Sequence, residues 1–164
     1  MLRRWLERWR GARQARSAGD LQAWLDSSRA LLDLCHDPLR ALEGPSDIGA
    51  ILDRIDRRLM RFRNEAAFAR SALLRQPPLA GAVRQATNDL FVLRNETCAF
   101  LLRWQTLQQL PGSHLASIEA QRRMEGARLQ ASRTARLLLD ELEALAPEVE
   151  RLISVGSHAA DGPD

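Results

Sequence analysis

The chain has 164 residues, 45% hydrophobic and 27% charged, enough for one domain with a packed core and too apolar for wholesale disorder. All 24 basic residues are Arg, with no Lys and no Tyr, and the net charge is +3. Residues 1–16 hold six Arg and one Glu, so they carry +5 and the other 148 residues carry −2, which argues against a nucleic-acid-binding body.

The first ten residues form a short amphipathic pattern. Leu2, Trp5, Leu6 and Trp9 fall at i, i+3, i+4, i+7, with Arg3, Arg4, Arg8 and Arg10 between them. A helix this short is marginal alone and needs a surface: its own bundle, a protein partner or an anionic bilayer. The start lacks the uninterrupted apolar core of a signal peptide. Gly11 reads as a stop, and residues 11–19 as a linker or weak helix. The expected organisation is therefore a basic amphipathic arm over 1–16, a bundle over 20–155 and a disordered tail over 157–164.

Asp20 is the expected cap of helix one, which carries Leu21, Trp24, Leu25, Leu31, Leu32 and Cys35 at helical spacing. Asp37-Pro38 restarts the chain as a short second piece ending at Gly44-Pro45. Ser46 is the expected cap of helix two, which runs to about Arg75, and Pro77-Pro78 opens helix three. Apolar positions from Ile48 to Leu73 and from Leu79 to Leu107 alternate steps of 3 and 4, a heptad seam on each arm of an antiparallel hairpin. Pairing about Pro77-Pro78 sets Phe62 against Leu93, Ala66 against Leu90 and Leu52 against Trp104. The wedge is thin at the turn and bulky at its far end.

Helix three ends before Pro111-Gly112, and Ser113 or His114 opens helix four. Its later part, Leu138, Leu142, Leu145, Val149 and Leu152, has heptad spacing. Pro147 should kink or break it, and Gly156 should end it. Leu137, Leu138, Leu139 and Leu142 are expected to fill the thin end of the wedge. Continuing the seam backward from Leu139 meets Ser132, Arg128, Glu125 and Gln121. There are no strand signals, so the expected fold is an all-α, up-down-up-down four-helix bundle with a long coiled-coil-like hairpin and a short N-terminal amphipathic helix.

No motif carries chemistry. Asp33-x-x-His36 stands alone against the paired motifs of di-iron bundles. Cys35, His36 and Asp37 diverge around a helix and cannot form a relay. Cys35 and Cys98 lack metal or disulfide spacing and read as buried free thiols. The expectation is no catalytic residue, no cofactor and no metal. A polar groove of His36, Trp104, Gln121, Glu125 and Arg128 is the one internal site, weighed against an ordinary Glu125–Arg128 surface pair. Phe68, Val92 and Leu102 fall off the seam and mark a partner surface. The composition supports a bacterial cytoplasmic adaptor that binds another protein, or a second copy of itself, through helix faces. The alternative is a peripheral membrane protein at the inner face of the membrane, held by its Trp/Arg arm. Nucleic-acid binding through Arg-rich faces ranks third, and an enzyme that uses the His36, Glu125 and Arg128 region fourth.

Overall fold

The computed structural model describes residues 2–42, 46–74, 76–110 and 114–158, with side chains described for 11–42, 46–74, 76–110 and 115–155. Four helices follow one another: α1 (Leu2–Ala41), α2 (Ile48–Ala72), α3 (Pro77–Gln109) and α4 (His114–His158). No strand occurs among the described residues. The four pack as an all-α bundle. α1 touches the other three, α3 touches the other three, and α2 and α4 do not meet. The cross-section is thus a rhombus with α1 and α3 on its short diagonal.

The seams of the central hairpin are buried as the spacing requires. Ile48, Ile55, Leu59, Phe62, Ala66, Ala69 and Leu73 line α2, and Leu79, Val83, Ala86, Leu90, Leu93, Thr97 and Phe100 line α3. Yet α2 approaches α1 much more closely than it approaches α3. The α2–α3 contact is carried on the flank by Phe62 and Phe91, edge to face at 5.8 Å, and by Arg63 over the Phe91 ring.

Several sequence expectations are corrected. α1 is continuous from Leu2 to Ala41, through Gly11, residues 11–19 and Asp37-Pro38. Local propensity there is overridden by packing: Ala18 and Leu21 are buried, and so is the Pro38 ring. α2 is capped by Asp47, not Ser46. The Asp47 carboxylate accepts from the Ala50 N–H at 2.9 Å, the N3 bond that a cap requires. α2 ends at Ala72, short of Arg75, which lies outside the described residues. Pro77 starts α3 at a position whose missing N–H costs nothing. α4 passes Pro147 and Gly156 unbroken to His158. The tail from 159, and the Gly44-Pro45, Pro111-Gly112 and Ser113 positions, fall outside the described residues.

The phase of α4 also differs. Its buried residues are Met124, Ala127, Ala131, Ala135, Leu138, Leu142, Ala146 and Val149. The steps are 3, 4, 4, 3, 4, 4, 3, an eleven-residue repeat rather than a heptad. This repeat runs through alanines, so it bypasses Ser132, Arg128 and Gln121, and it leaves Leu137 and Leu139 exposed.

The thin end of the wedge is filled by α1 as well as by α4. Trp24 is fully buried at that end, level with Thr87. Its indole N–H donates to Thr87 Oγ1 at 3.1 Å, and the hydroxyl donates onward to the Val83 carbonyl at 2.7 Å. Ala66, Ala69 and Ala86 leave the room that the indole occupies. We expect Thr87→Val, nearly isosteric, to leave a buried donor unpaired and cost about 1–3 kcal/mol. Urea unfolding measures it, and an unchanged midpoint would contradict the account.

Candidate functional site

Of the expected polar groove, the structure gives the burial of each member and one ion pair. His36 is half-buried on α1, and the charged groups around it are Asp33, Asp37 and Arg40 on its own helix and Arg136 on α4. Burial first, then Arg40 and Arg136, hold its imidazole below the usual range. Glu125 and Arg128 pair with each other one turn apart at 2.9 Å, each side chain 42% exposed. Gln121 is exposed. Trp104 is half-buried beside Phe100, ring centroids 6.2 Å apart, and its buried indole N–H has no hydrogen-bond partner. Among the described residues the hydrogen bonds and ion pairs join only Glu125 to Arg128 of these five.

The two thiols lie close together across the short diagonal. Thr97 Oγ1 donates to the Cys35 carbonyl at 3.4 Å, and Cys98 is the next residue on α3. Burial, and then the nearby Cys98, push the Cys35 thiol up to about 12. Burial likewise raises Cys98, against the pull of Arg94. Both are protonated at neutral pH, which is the opposite of what a nucleophile or metal ligand needs. Among the described residues no group of His, Cys, Asp and Glu could hold a metal ion.

A cavity of about 460 Å³ runs between α2 and α3, where those helices stand apart. Its cations are already engaged. Arg94 bonds Asp56 through two guanidinium nitrogens, and Arg63 lies 5.6 Å over the Phe91 ring. A second carboxylate feature sits across α3 and α4. Glu141 is raised by burial first and then by Asp89 facing it.

The off-pattern residues Phe68, Val92 and Leu102 are exposed, as the spacing implies. Phe68 is near the C-terminus of α2, whereas Val92 and Leu102 lie ten residues apart along α3, roughly 15 Å at the helical rise. A surface that the spacing analysis missed lies on α4. Leu115, Ile118 and Leu129 are 85%, 49% and 66% exposed. Together with exposed Arg122 and Arg133 they follow steps of 3, 4, 7 and 4 and share one face. Between them Gly126 has open space where a side chain would stand, and it borders a 250 Å³ groove with Ala99 and Ala127. The signal was present in the sequence, hidden by the wrong phase assigned to α4.

The Leu2–Arg10 stretch is helical within α1, and its side chains lie outside the described ones. No described helix is long and apolar enough to cross a membrane.

Two pH dependences follow. His36 binds its proton more weakly folded than unfolded, so its contribution to stability is full above 6.5 and is lost as pH falls below that value and through the lower folded one. His36→Asn should therefore flatten the fall in urea midpoint between about pH 7.5 and 5.5. Glu141 binds its proton more tightly when folded, so its contribution is greatest in acid and falls as pH rises. Glu141→Gln should raise the melting temperature at neutral pH, by an increment that shrinks toward pH 4.5. A constant increment would contradict the like-charge contact. Comparison of the chain with family models, with curated proteins and with solved structures returned no match, so the functional reading rests on its own residues.

Proposed function

We propose that this chain is a non-catalytic helical-bundle adaptor that binds another protein through the outer face of α4. The observation that carries the reading is the stripe of Leu115, Ile118 and Leu129, exposed on one helical face and flanked by Arg122 and Arg133. Leu115 and Ile118 stand at i and i+3, and Leu129 returns to the same face three turns on, so the stripe offers apolar anchors along about 21 Å of helix. Gly126 lets a partner helix approach the backbone at the centre of the stripe. The two arginines favour a partner with acidic flanks, which sets orientation and on-rate.

The chemistry of the interior supports the same reading. Its thiols are held protonated, its half-buried histidine is held neutral, and its groove arginines are paired. Each of those arrangements stabilises the bundle and offers little to a substrate.

Leu115→Glu, Ile118→Glu and Leu129→Glu change exposed positions, so each should leave the melting temperature almost unchanged. Each should cost about 1–2 kcal/mol of partner binding. The measurement is quantitative capture of cellular proteins on the tagged wild-type chain and on the triple variant, with thermal melts as control. An identical captured set from both would sink the reading.

A further inference from the structure

The register of the helices shows that α1 outruns its neighbours. Trp24 bonds Thr87 and Thr97 bonds Cys35, so a residue of α1 lies level with the α3 residue 62 or 63 positions later. Pro77, the first residue of α3, is therefore level with about residue 15 of α1. α2 ends there too, since Pro38 and Ala41 border one cavity with Ile51 and Ile55. About thirteen residues of α1, roughly 20 Å of helix, extend past the α2–α3 turn.

The buried face of α1 is broad: beside Leu21, Leu25, Leu32 and Cys35 it takes in Trp24, Ser27, Leu31 and Pro38. At about 100° per residue, positions 2, 6 and 9 share the phase of Pro38, Trp24 and Ser27 on the same continuous helix. The apolar line of Leu2, Leu6 and Trp9 therefore prolongs that face past the level at which α2 and α3 turn.

Its charge is one-sided. Arg3, Arg4, Arg8, Arg10, Arg13 and Arg16 stand against Glu7 and Asp20 on α1. Exposed Arg70 and exposed Leu74 lie at the same end, by the α2–α3 turn. The acidic residues on the α4 side are Glu148 and Glu150, and Glu150 faces Arg29 at 3.8 Å.

We propose that this end of the bundle docks on an anionic membrane surface, with the first turns of α1 lying in the interface. Trp with interleaved Arg on a short amphipathic helix matches the polarity gradient at lipid headgroups. Anionic headgroups supply the complementary charge. A second copy would bring like-charged arginines against these, and a nucleic acid offers no apolar phase for four large apolar residues. The docking is independent of the α4 surface, and a test with lipid alone separates the two.

The full chain is incubated with vesicles of phosphatidylcholine alone and with about 30% phosphatidylglycerol, then sedimented. It should partition onto the anionic vesicles and not onto the neutral ones, with a blue shift of tryptophan emission. Trp5→Ser with Trp9→Ser should weaken partition about tenfold or more, as should Arg4→Gln with Arg8→Gln. Leu115→Glu should leave it unchanged. Melts monitor folding, and Leu2→Gln with Leu6→Gln replaces any pair that fails to fold. Absence of partition onto anionic vesicles overturns the proposal. So does partition that depends on the arginines and is indifferent to the tryptophans, which is the signature of a polyanion site. A dimer that dissociates on Trp5 and Trp9 substitution without lipid binding assigns the stripe to a second copy and overturns it as well.

Discussion

The bundle depends on how Trp24 fits between α1 and α3. A hairpin with alanines near its turn cannot reach interior packing density from its own side chains, and a fully buried indole supplies the missing volume. Burying an indole brings a polar N–H inside, and Thr87 answers it with a hydroxyl that hands its own proton to the Val83 carbonyl. The same helix pair is tied again by Thr97 to the Cys35 carbonyl. These bonds fix the vertical register of α1 against α3, and the short diagonal of the rhombus follows. With α1 and α3 in contact at the centre, α2 and α4 are held apart, and α2 leans on α1.

Trp104 shows the contrasting case. It has the same ring, sits half-buried at the bulky end, and its indole N–H is buried without a partner. One tryptophan therefore specifies register, and the other contributes apolar area at the expense of an unmet donor. The thiols and carboxylates follow the same logic. Their altered proton affinities come from burial and from neighbours that the packing places there, which is ordinary for residues near a core.

What the sequence made legible was decided by the kind of signal each element carries. The α2 and α3 seams keep strict 3–4 alternation with mostly large side chains away from the turn, and the structure buries most of their positions. α4 could not be phased that way. Its seam is mostly alanine, and the exposed Leu137 and Leu139 are more hydrophobic than the buried Ala131 and Ala135. Hydrophobicity alone then assigns the wrong face. α1 was hidden by punctuation. Gly11, Gly19 and Pro38 signal breaks, yet the burial of Ala18, Leu21 and Leu39 keeps one helix running. The outward position of Phe68, Val92 and Leu102 was readable from period alone.

The eleven-residue repeat of α4 has a mechanical consequence. At ~3.67 residues per turn the stripe drifts in the sense opposite to a heptad seam, so α4 is set to wind right-handedly along its neighbours. Its 45 residues span roughly 67 Å, twelve residues more than α3. The heptad seams of α2 and α3 call for the left-handed sense, so one bundle joins helices whose buried stripes favour opposite windings.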